Sequence, residues 1–178
     1  MDRIPFQATA AGALYEPIAA LPVAILLDNV RSMYNVGAFF RTADAAGAAM
    51  LHLCGITARP PKRAIAKTAL GAEETVPWLH HADPVAALHN IWARGYEIAA
   101  IETSMHAVDL FDWSPRFPVC IIFGHEVDGI RHEVSELADV HVRIPMIGLK
   151  HSLNVATAGG VVLYELLRKY RALSAALR

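Results

Sequence analysis

Along this chain, short and wholly apolar runs alternate with stretches of helical period, and each run ends in a polar, turn-forming segment. Residues 23–27, VAILL, form a continuous apolar run that stops at Asp28 and Asn29. A run of that length without polar alternation fits a strand buried on both faces. From Val36 the period becomes that of a helix, with Val36, Phe39, Phe40 and Ala43 on one face at i, i+3, i+4 and i+7. Gly47 is placed to stop it. Residues 49–54 read as a second strand, and residues 59–71 open basic, turn helical and meet an expected stop at Gly71. Asp83 followed by Pro84 is a helix start, an N-cap and a proline at the first helical position. That helix is expected to run through Leu88 and Trp92 to Gly95. Strands are expected at 96–101 and 118–123, a short helix at 132–137, a strand at 140–144 and a last helix from Ser152 to about Leu173. Strands alternating with helices predict an α/β fold, a mostly parallel sheet flanked by helices.

At 178 residues the chain suffices for one well-buried core and is short for two ordinary domains. Residues 1–22 lack a clear period and are expected to form an N-terminal extension with a short helix, leaving 23–178 as a single domain. Hydrophobic residues make up 54% and charged residues 19%, a globular balance. No apolar run approaches the roughly 20 residues of a membrane helix. The longest, 156–167, is broken by Gly159-Gly160 and by Tyr164-Glu165. Asp2, Arg3, Pro5 and Glu16 leave no apolar core of signal-peptide type near the start. The expectation is a soluble, cytoplasmic protein with no membrane partner.

Several chemistries fail on spacing. Cys54 and Cys120 form no CxxC pair and read as small core residues on strands. His125-Glu126 opens like a zinc-protease helix, but Gly129 stands where the second histidine belongs, so no metal is expected. There is no GxGxxG after a strand, no Walker A loop and no GxSxG elbow. The formal net charge of −1 means that any nucleic-acid contact comes from local patches. One such patch is Arg59, Lys62 and Arg63 with Lys67; a second is Arg168, Lys169 and Arg171. On charge alone, a solvated face fits both equally well.

Four segments rich in Gly, Asn, Ser and charge each follow an expected strand: 28–41, 102–104, 124–129 and 145–154. In open α/β sheets ligands bind at the carboxyl ends of strands, although ordinary turns favour the same residues. Three of these segments carry a resemblance. Residues 35–42, NVGAFFRT, are similar to the first motif of the SpoU (TrmH) family of RNA methyltransferases, with Asn35, Gly37 and, four residues later, Arg41. Residues 123–130, FGHEVDGI, resemble its second motif through Gly124, Glu126 and Gly129. Residues 144–155, IPMIGLKHSLNV, resemble its third, and 67–73, KTALGAE, also looks like a family element. The motifs occur in the family's order and the resemblance covers roughly residues 23–170; Ala156 departs from it, where many members carry a second serine.

The resemblance implies a SPOUT fold with a deep C-terminal trefoil knot, which nothing in the periodicity shows. It implies bound S-adenosyl-L-methionine, a homodimer, and methyl transfer to a ribose 2′-hydroxyl of tRNA or rRNA. The cofactor residues it implies are Thr103, Gly124, Gly129, Ile144, Met146 and Leu153. At Gly124 the missing Cβ would let the backbone approach the ligand closely. Core packing accounts equally for Ile144, Met146 and Leu153, and a turn requirement for Gly124 and Gly129. The catalytic set it implies is Arg41 with Asn35, Asn154, Ser152 and Glu126; the RNA-binding set is Arg41, Arg59, Lys62, Arg63 and Lys67.

Methyl transfer from a sulfonium is an in-line displacement, so aligning the hydroxyl and helping to remove its proton are the protein's tasks. A guanidinium keeps its proton up to a pKa of about 12 or more, which favours Arg41 as a clamp on phosphate or hydroxyl over Arg41 as a base. Asn35 and Asn154 can position Arg41 or the ribose. Ser152 fits equally as an N-cap. Glu126 either pairs with Arg41 or fixes its own loop, and the loop role is preferred. Leu163, Leu166, Leu167 and Tyr170 fall at helical spacing and serve either a dimer face or the internal core. Three other readings stay open: a non-enzymatic SPOUT-type RNA-binding protein, a SPOUT base methyltransferase, and binding of another nucleotide on an α/β sheet.

Overall fold

The computed structural model describes residues 20–176. Residues 1–19, and with them most of the expected N-terminal extension and its short helix, lie outside the described residues. Among the described residues there are seven strands: β1 (Leu21–Asp28), β2 (Ala48–Cys54), β3 (Trp78–His81), β4 (Glu97–Ile101), β5 (Val108–Asp109), β6 (Val119–Phe123) and β7 (Val140–Arg143). Six helices connect or follow them: α1 (Met33–Ala46), α2 (Arg63–Ala69), α3 (Ala72–Thr75), α4 (Pro84–Trp92), α5 (His132–Ser135) and α6 (Val155–Ala176). The strands form one sheet in the order β3-β2-β1-β6-β4-β7-β5, and every neighbouring pair is parallel.

Period-two geometry divides each central strand between two cores. Val23, Ile25 and Leu27 of β1 join a cluster with Phe39, Phe40, Ile65, Leu163 and Leu166, under α1, α2, α3 and α6. Ala24 and Leu26 face the other way, toward Leu88 and Ile91 of α4 and Val134 of α5. All five residues of β6 are buried, as its unbroken apolar run requires. Cys54 and Cys120 are buried free thiols on β2 and β6. Burial pushes the Cys54 thiol up to about 12 and that of Cys120 upward as well, so both behave as apolar core.

Caps set both ends of α1 and the starts of α4 and α6. Ser32 accepts a hydrogen bond from the Asn35 N–H at 3.3 Å, and Gly47 closes α1 in the left-handed conformation at φ 69. Asp83 accepts from the Val85 N–H at 2.9 Å at the start of α4. α4 ends at Trp92, short of the expected Gly95. Gly71 is not the stop of α2; Leu70 takes that role at φ 54, and Gly71 opens α3. Ser152 is not the N-cap of α6. Asn154 fills that place, its side-chain oxygen accepting from the N–H groups of Ala156 and Thr157 at 3.0 and 3.2 Å. Leu163 and Leu166 are fully buried, with Leu167 and Tyr170 packed against the same cluster, so this set faces the core. Val161, Tyr164 and Leu173 are the large apolar residues that α6 exposes. Among the described residues no helix is long and apolar enough to cross a membrane.

Gly37 sets how closely α1 and α2 meet. A Cβ there would run into the Ile65 carbonyl oxygen and the Thr68 hydroxyl, and that hydroxyl donates to the Tyr34 carbonyl at 3.0 Å. Gly37→Ala would gain about 1 kcal/mol of helix propensity, but the colliding carbonyl belongs to the backbone, so overpacking of about 1–3 kcal/mol decides the outcome. Urea titration is expected to show a net loss of stability; an unchanged midpoint would refute the close-approach role.

Candidate functional site

Parallel strands deliver their carboxyl ends to one edge of the sheet. In the strand order β4 lies between β6 and β7, so the segments that leave these three strands are neighbours there. Together they line a cavity of about 550 Å³, a size that suits a nucleoside-bearing ligand. Ile101, Phe123, Ile130, Ile144 and Ala158 give it apolar walls. All six expected cofactor residues line it: Thr103, Gly124, Gly129, Ile144, Met146 and Leu153. Glu126, Ser152 and Asn154 line it as well.

The 124–130 segment folds back on itself. His125 and Gly129 exchange backbone hydrogen bonds of 2.9 Å each way, and Gly129 has φ 74, which favours glycine. The His125 Nδ1 accepts from the Val127 and Asp128 N–H groups at 3.2 and 3.1 Å. A Cβ on Gly124 would overlap the Gly129 carbonyl and the Ile130 nitrogen. The space released by the absent side chain is thus filled by the returning loop and not left for a ligand, contrary to the expectation.

Glu126 is the junction of the site. Its carboxylate accepts from the N–H groups of Arg31 and Ser32, both at 3.0 Å, and from the Asn35 side-chain amide at 2.9 Å. The Asn35 Oδ1 accepts in turn from the Asn154 amide at 3.1 Å. One chain of hydrogen bonds therefore links the loop after β6, the start of α1 and the start of α6. Burial works to raise the pKa of Glu126, but the donors from Arg31, Ser32 and Asn35 outweigh it and hold the carboxyl below its usual range. The alternative ion pair between Glu126 and Arg41 does not form.

Arg41 is exposed on α1 and does not line the cavity. It follows Asn35 by six residues, which places it about 120° around the helix and roughly 9 Å along it. It shares a face instead with the exposed Tyr34, seven residues earlier. Arg59, Lys62, Arg63 and Lys67 are all exposed before or along α2, and the Lys67 ammonium lies over the Tyr34 ring at 5.9 Å. The second basic patch is largely committed to structure. Arg168 pairs with Glu165 at 2.7 Å, and Lys169 donates to the carbonyls of Leu110, Phe111 and Trp113.

Two features escape a reading of the sequence. Asp28, fully buried at the end of β1, holds Arg131 at 3.0 Å and so anchors the start of α5. Glu102 lines the cavity and accepts from Ser135 and His141. The partners are 33 to 103 residues apart in sequence, and no local pattern announces them. Among the described residues no group of three or more His, Cys, Asp or Glu is placed to hold a metal.

Comparison with known proteins agrees with this layout. The model of the SpoU rRNA Methylase family matches residues 22–164. A tRNA (guanosine(18)-2′-O)-methyltransferase of Escherichia coli is 35% identical over 145 residues, 82% of this chain and 62% of the relative. The 23S rRNA (guanosine-2′-O-)-methyltransferase RlmB of Ralstonia nicotianae is 35% identical over 157 residues, 88% of this chain and 62% of the relative. The chain thus spans about three fifths of the length of these relatives. Among solved structures, the A. aeolicus TrmH/SpoU tRNA modifying enzyme superposes with a TM-score of 0.79 at 28% identity, covering 89% of this chain and 80% of that one. The SpoU methyltransferase AviRb of Streptomyces viridochromogenes, in complex with the cofactor AdoMet, gives a TM-score of 0.78 at 27% identity, covering 86% and 60%.

Glu126→Gln would turn an amide NH₂ toward N–H donors that need an acceptor. At pH 7 it is expected to cost about 1 kcal/mol of stability, a modest figure because the group is exposed. A carboxyl with a depressed folded pKa stabilises fully above its unfolded value of about 4.3 and loses that contribution as pH falls through the folded value. The gap between wild type and variant should therefore narrow in urea titrations at pH 3; an equal gap at both pH values would contradict the hydrogen-bonding role.

Proposed function

Because the chain belongs to the SpoU rRNA methylase family, we propose that it transfers a methyl group from S-adenosyl-L-methionine to a ribose 2′-hydroxyl of a tRNA or rRNA. The observation that carries this reading is the hydrogen-bonded chain Asn154–Asn35–Glu126, which joins a nucleoside-sized cavity to the helix bearing Arg41. The cofactor fits the cavity on chemical grounds. Ile144, Leu153 and Ile130 offer apolar surface to an adenine, and the turns at Gly124 and Gly129 present backbone groups beside it. Thr103 and Met146 complete the lining. When bound, this cofactor supplies a methyl group already activated on a sulfonium.

The chain's own residues then have three tasks. Asn35 and Asn154 hold the start of α1 against the cavity and orient the incoming ribose, with Ser152 beside them. Glu126 keeps the loop after β6 in register with α1. Arg41, outside the cavity on the exposed face, clamps a phosphate or the hydroxyl as the RNA approaches; its position favours a clamp over a base. Arg59, Lys62, Arg63 and Lys67 take neighbouring phosphates, which suits a protein whose net charge is only −1. The ribose, not the base, is proposed as the acceptor because the two curated relatives described are named guanosine 2′-O-methyltransferases.

The same reading includes the deep C-terminal trefoil knot. Residues 144–154 cross from the end of β7 past the ends of β4 and β6, and α6 then packs on α1. It also includes a homodimer. Val161, Tyr164 and Leu173 on the outer face of α6 are its proposed contacts, since Leu163 and Leu166 are already spent on the core. A cytoplasmic location belongs to the same proposal.

Isothermal titration is expected to show S-adenosylmethionine and S-adenosylhomocysteine binding in the micromolar range. Nucleoside mass spectrometry of tRNA and rRNA from a deletion strain should lose one 2′-O-methylated nucleoside. Failure to bind either compound would overturn the proposal, and binding with loss of a base-methylated nucleoside would move the acceptor. Arg41→Ala is expected to keep cofactor affinity while single-turnover methyl transfer falls by a factor of about 10² or more. A clamp lowers the pH–rate profile without changing its shape, whereas loss of a rising alkaline limb would identify a base.

A further inference from the structure

Two carboxylates line the cavity, and they differ in what they have left to offer. Both oxygens of Glu126 are occupied by the three donors of the loop junction. Glu102 lies just past the end of β4, the middle strand of the three beneath the cavity. Its backbone N–H donates to the Val142 carbonyl at 3.0 Å, which fixes it against β7. On its side chain, one oxygen, Oε1, accepts from the Ser135 hydroxyl at 3.2 Å and from the His141 Nδ1. A carboxylate oxygen is an acceptor, so His141 carries its proton on Nδ1. Among the described residues Oε2 takes no hydrogen bond. The side chain is 26% exposed, so an acceptor remains in a partly desolvated cavity wall with its rotamer held by two partners.

We propose that Glu102 is a cofactor-positioning residue whose Oε2 accepts hydrogen bonds from the ribose hydroxyls of the adenosine moiety, with Ser135 and His141 fixing its orientation. The proposal rests on the reading of the cavity as an S-adenosylmethionine site. The hydroxyls are favoured over the ligand's ammonium group by position. Asn35 and Asn154, which face the acceptor RNA in that reading, gather at the β1 side of the cavity. Glu102 lies just past the end of β4 and its partner His141 on β7, beyond β6 from β1. The nucleoside end then occupies the β4–β7 side, with the transferable methyl group toward β1. A carboxylate just beyond a strand end is also well suited to a ribose in sheets of this class, because hydroxyl donors meet a fixed acceptor at the ligand's sugar.

Titration calorimetry tests this with three ligands: S-adenosylhomocysteine, 5′-methylthioadenosine, which lacks the amino-acid tail, and the homocysteine ligand without its ribose 2′-hydroxyl. Glu102→Gln is expected to weaken the first two alike, by about tenfold or more, the loss typical of a charge-assisted hydrogen bond. Wild type should lose affinity for the 2′-deoxy ligand, and Glu102→Gln should lose little further. That wild-type comparison stands even if the variant folds poorly in a thermal melt. Equal wild-type affinity for the hydroxyl and deoxy ligands overturns the proposal, as does a Glu102→Gln defect confined to the ligands with the tail. If wild type binds none of the three, the cofactor reading itself fails. His141→Asn, which keeps a donor for Oε1, should restore most of the affinity that His141→Leu loses; equal affinities in these two variants would remove His141 from the positioning role.

Discussion

All seven strands run in one direction, and the site depends on that single constraint. A parallel sheet is buried on both faces and each connection must return the chain to the opposite edge before the next strand begins, through a helix here except around the short β5. Every segment that leaves a strand therefore emerges at the same edge. The polar segments after β1, β4, β6 and β7 meet there although they are separated by tens of residues in sequence. The two apolar clusters on either face hold the sheet that makes this meeting possible. They need no polar group from the cavity to do so.

Convergence alone would leave four mobile loops. The Glu126 carboxylate turns three of them into a fixed arrangement by accepting two backbone N–H groups before α1 and the Asn35 amide, while Asn154 continues the chain to α6. The depressed pKa of Glu126 is the electrostatic record of the same contacts, since donors that favour the charged form win against burial. Asp28 and Arg131 act similarly on the opposite side of the loop after β6, tying the end of β1 to the start of α5. Ionised groups near this cavity thus fix backbone first, and Glu102 stands out because one of its oxygens is left over.

Most of this architecture could be read along the chain, for identifiable reasons. The buried strands β1 and β6 carry continuous apolar runs, β2 and β4 are apolar apart from His52 and the opening Glu97, and α1 and α4 carry both a 3.6-residue period and their caps. The edge strands β3 and β5, with four and two residues, are too short and too polar to stand out. The start of α6 shifted from Ser152 to Asn154 because both are good caps and only the fold decides which faces the free N–H groups. Leu163 and Leu166 have the spacing of either a core or a contact face, and burial under α1 decided for the core. The cavity-lining residues Gly124, Gly129, Ile144, Met146 and Leu153 were legible through their motifs. Glu102 was marked only by its place in the polar segment after β4, and its partners Ser135 and His141 were not marked at all, because their pairing forms only across strands.

The motifs themselves divide between scaffold and chemistry. Gly37 allows α2 to approach α1, and Gly124 makes room for the returning backbone of its own loop. Glu126 and Asn35 are joined to each other and to neighbouring backbone. In each case the fold already supplies a reason for the residue. Arg41 differs: it lies on the exposed face of α1, beside the Tyr34–Lys67 pair, and no hydrogen bond within the described residues holds its guanidinium. A long cationic side chain that the fold does not use is free to engage an anionic polymer passing over that face. The hydrogen-bonded part of the site is therefore fixed by the fold, and its exposed, charged part on α1 and α2 is not.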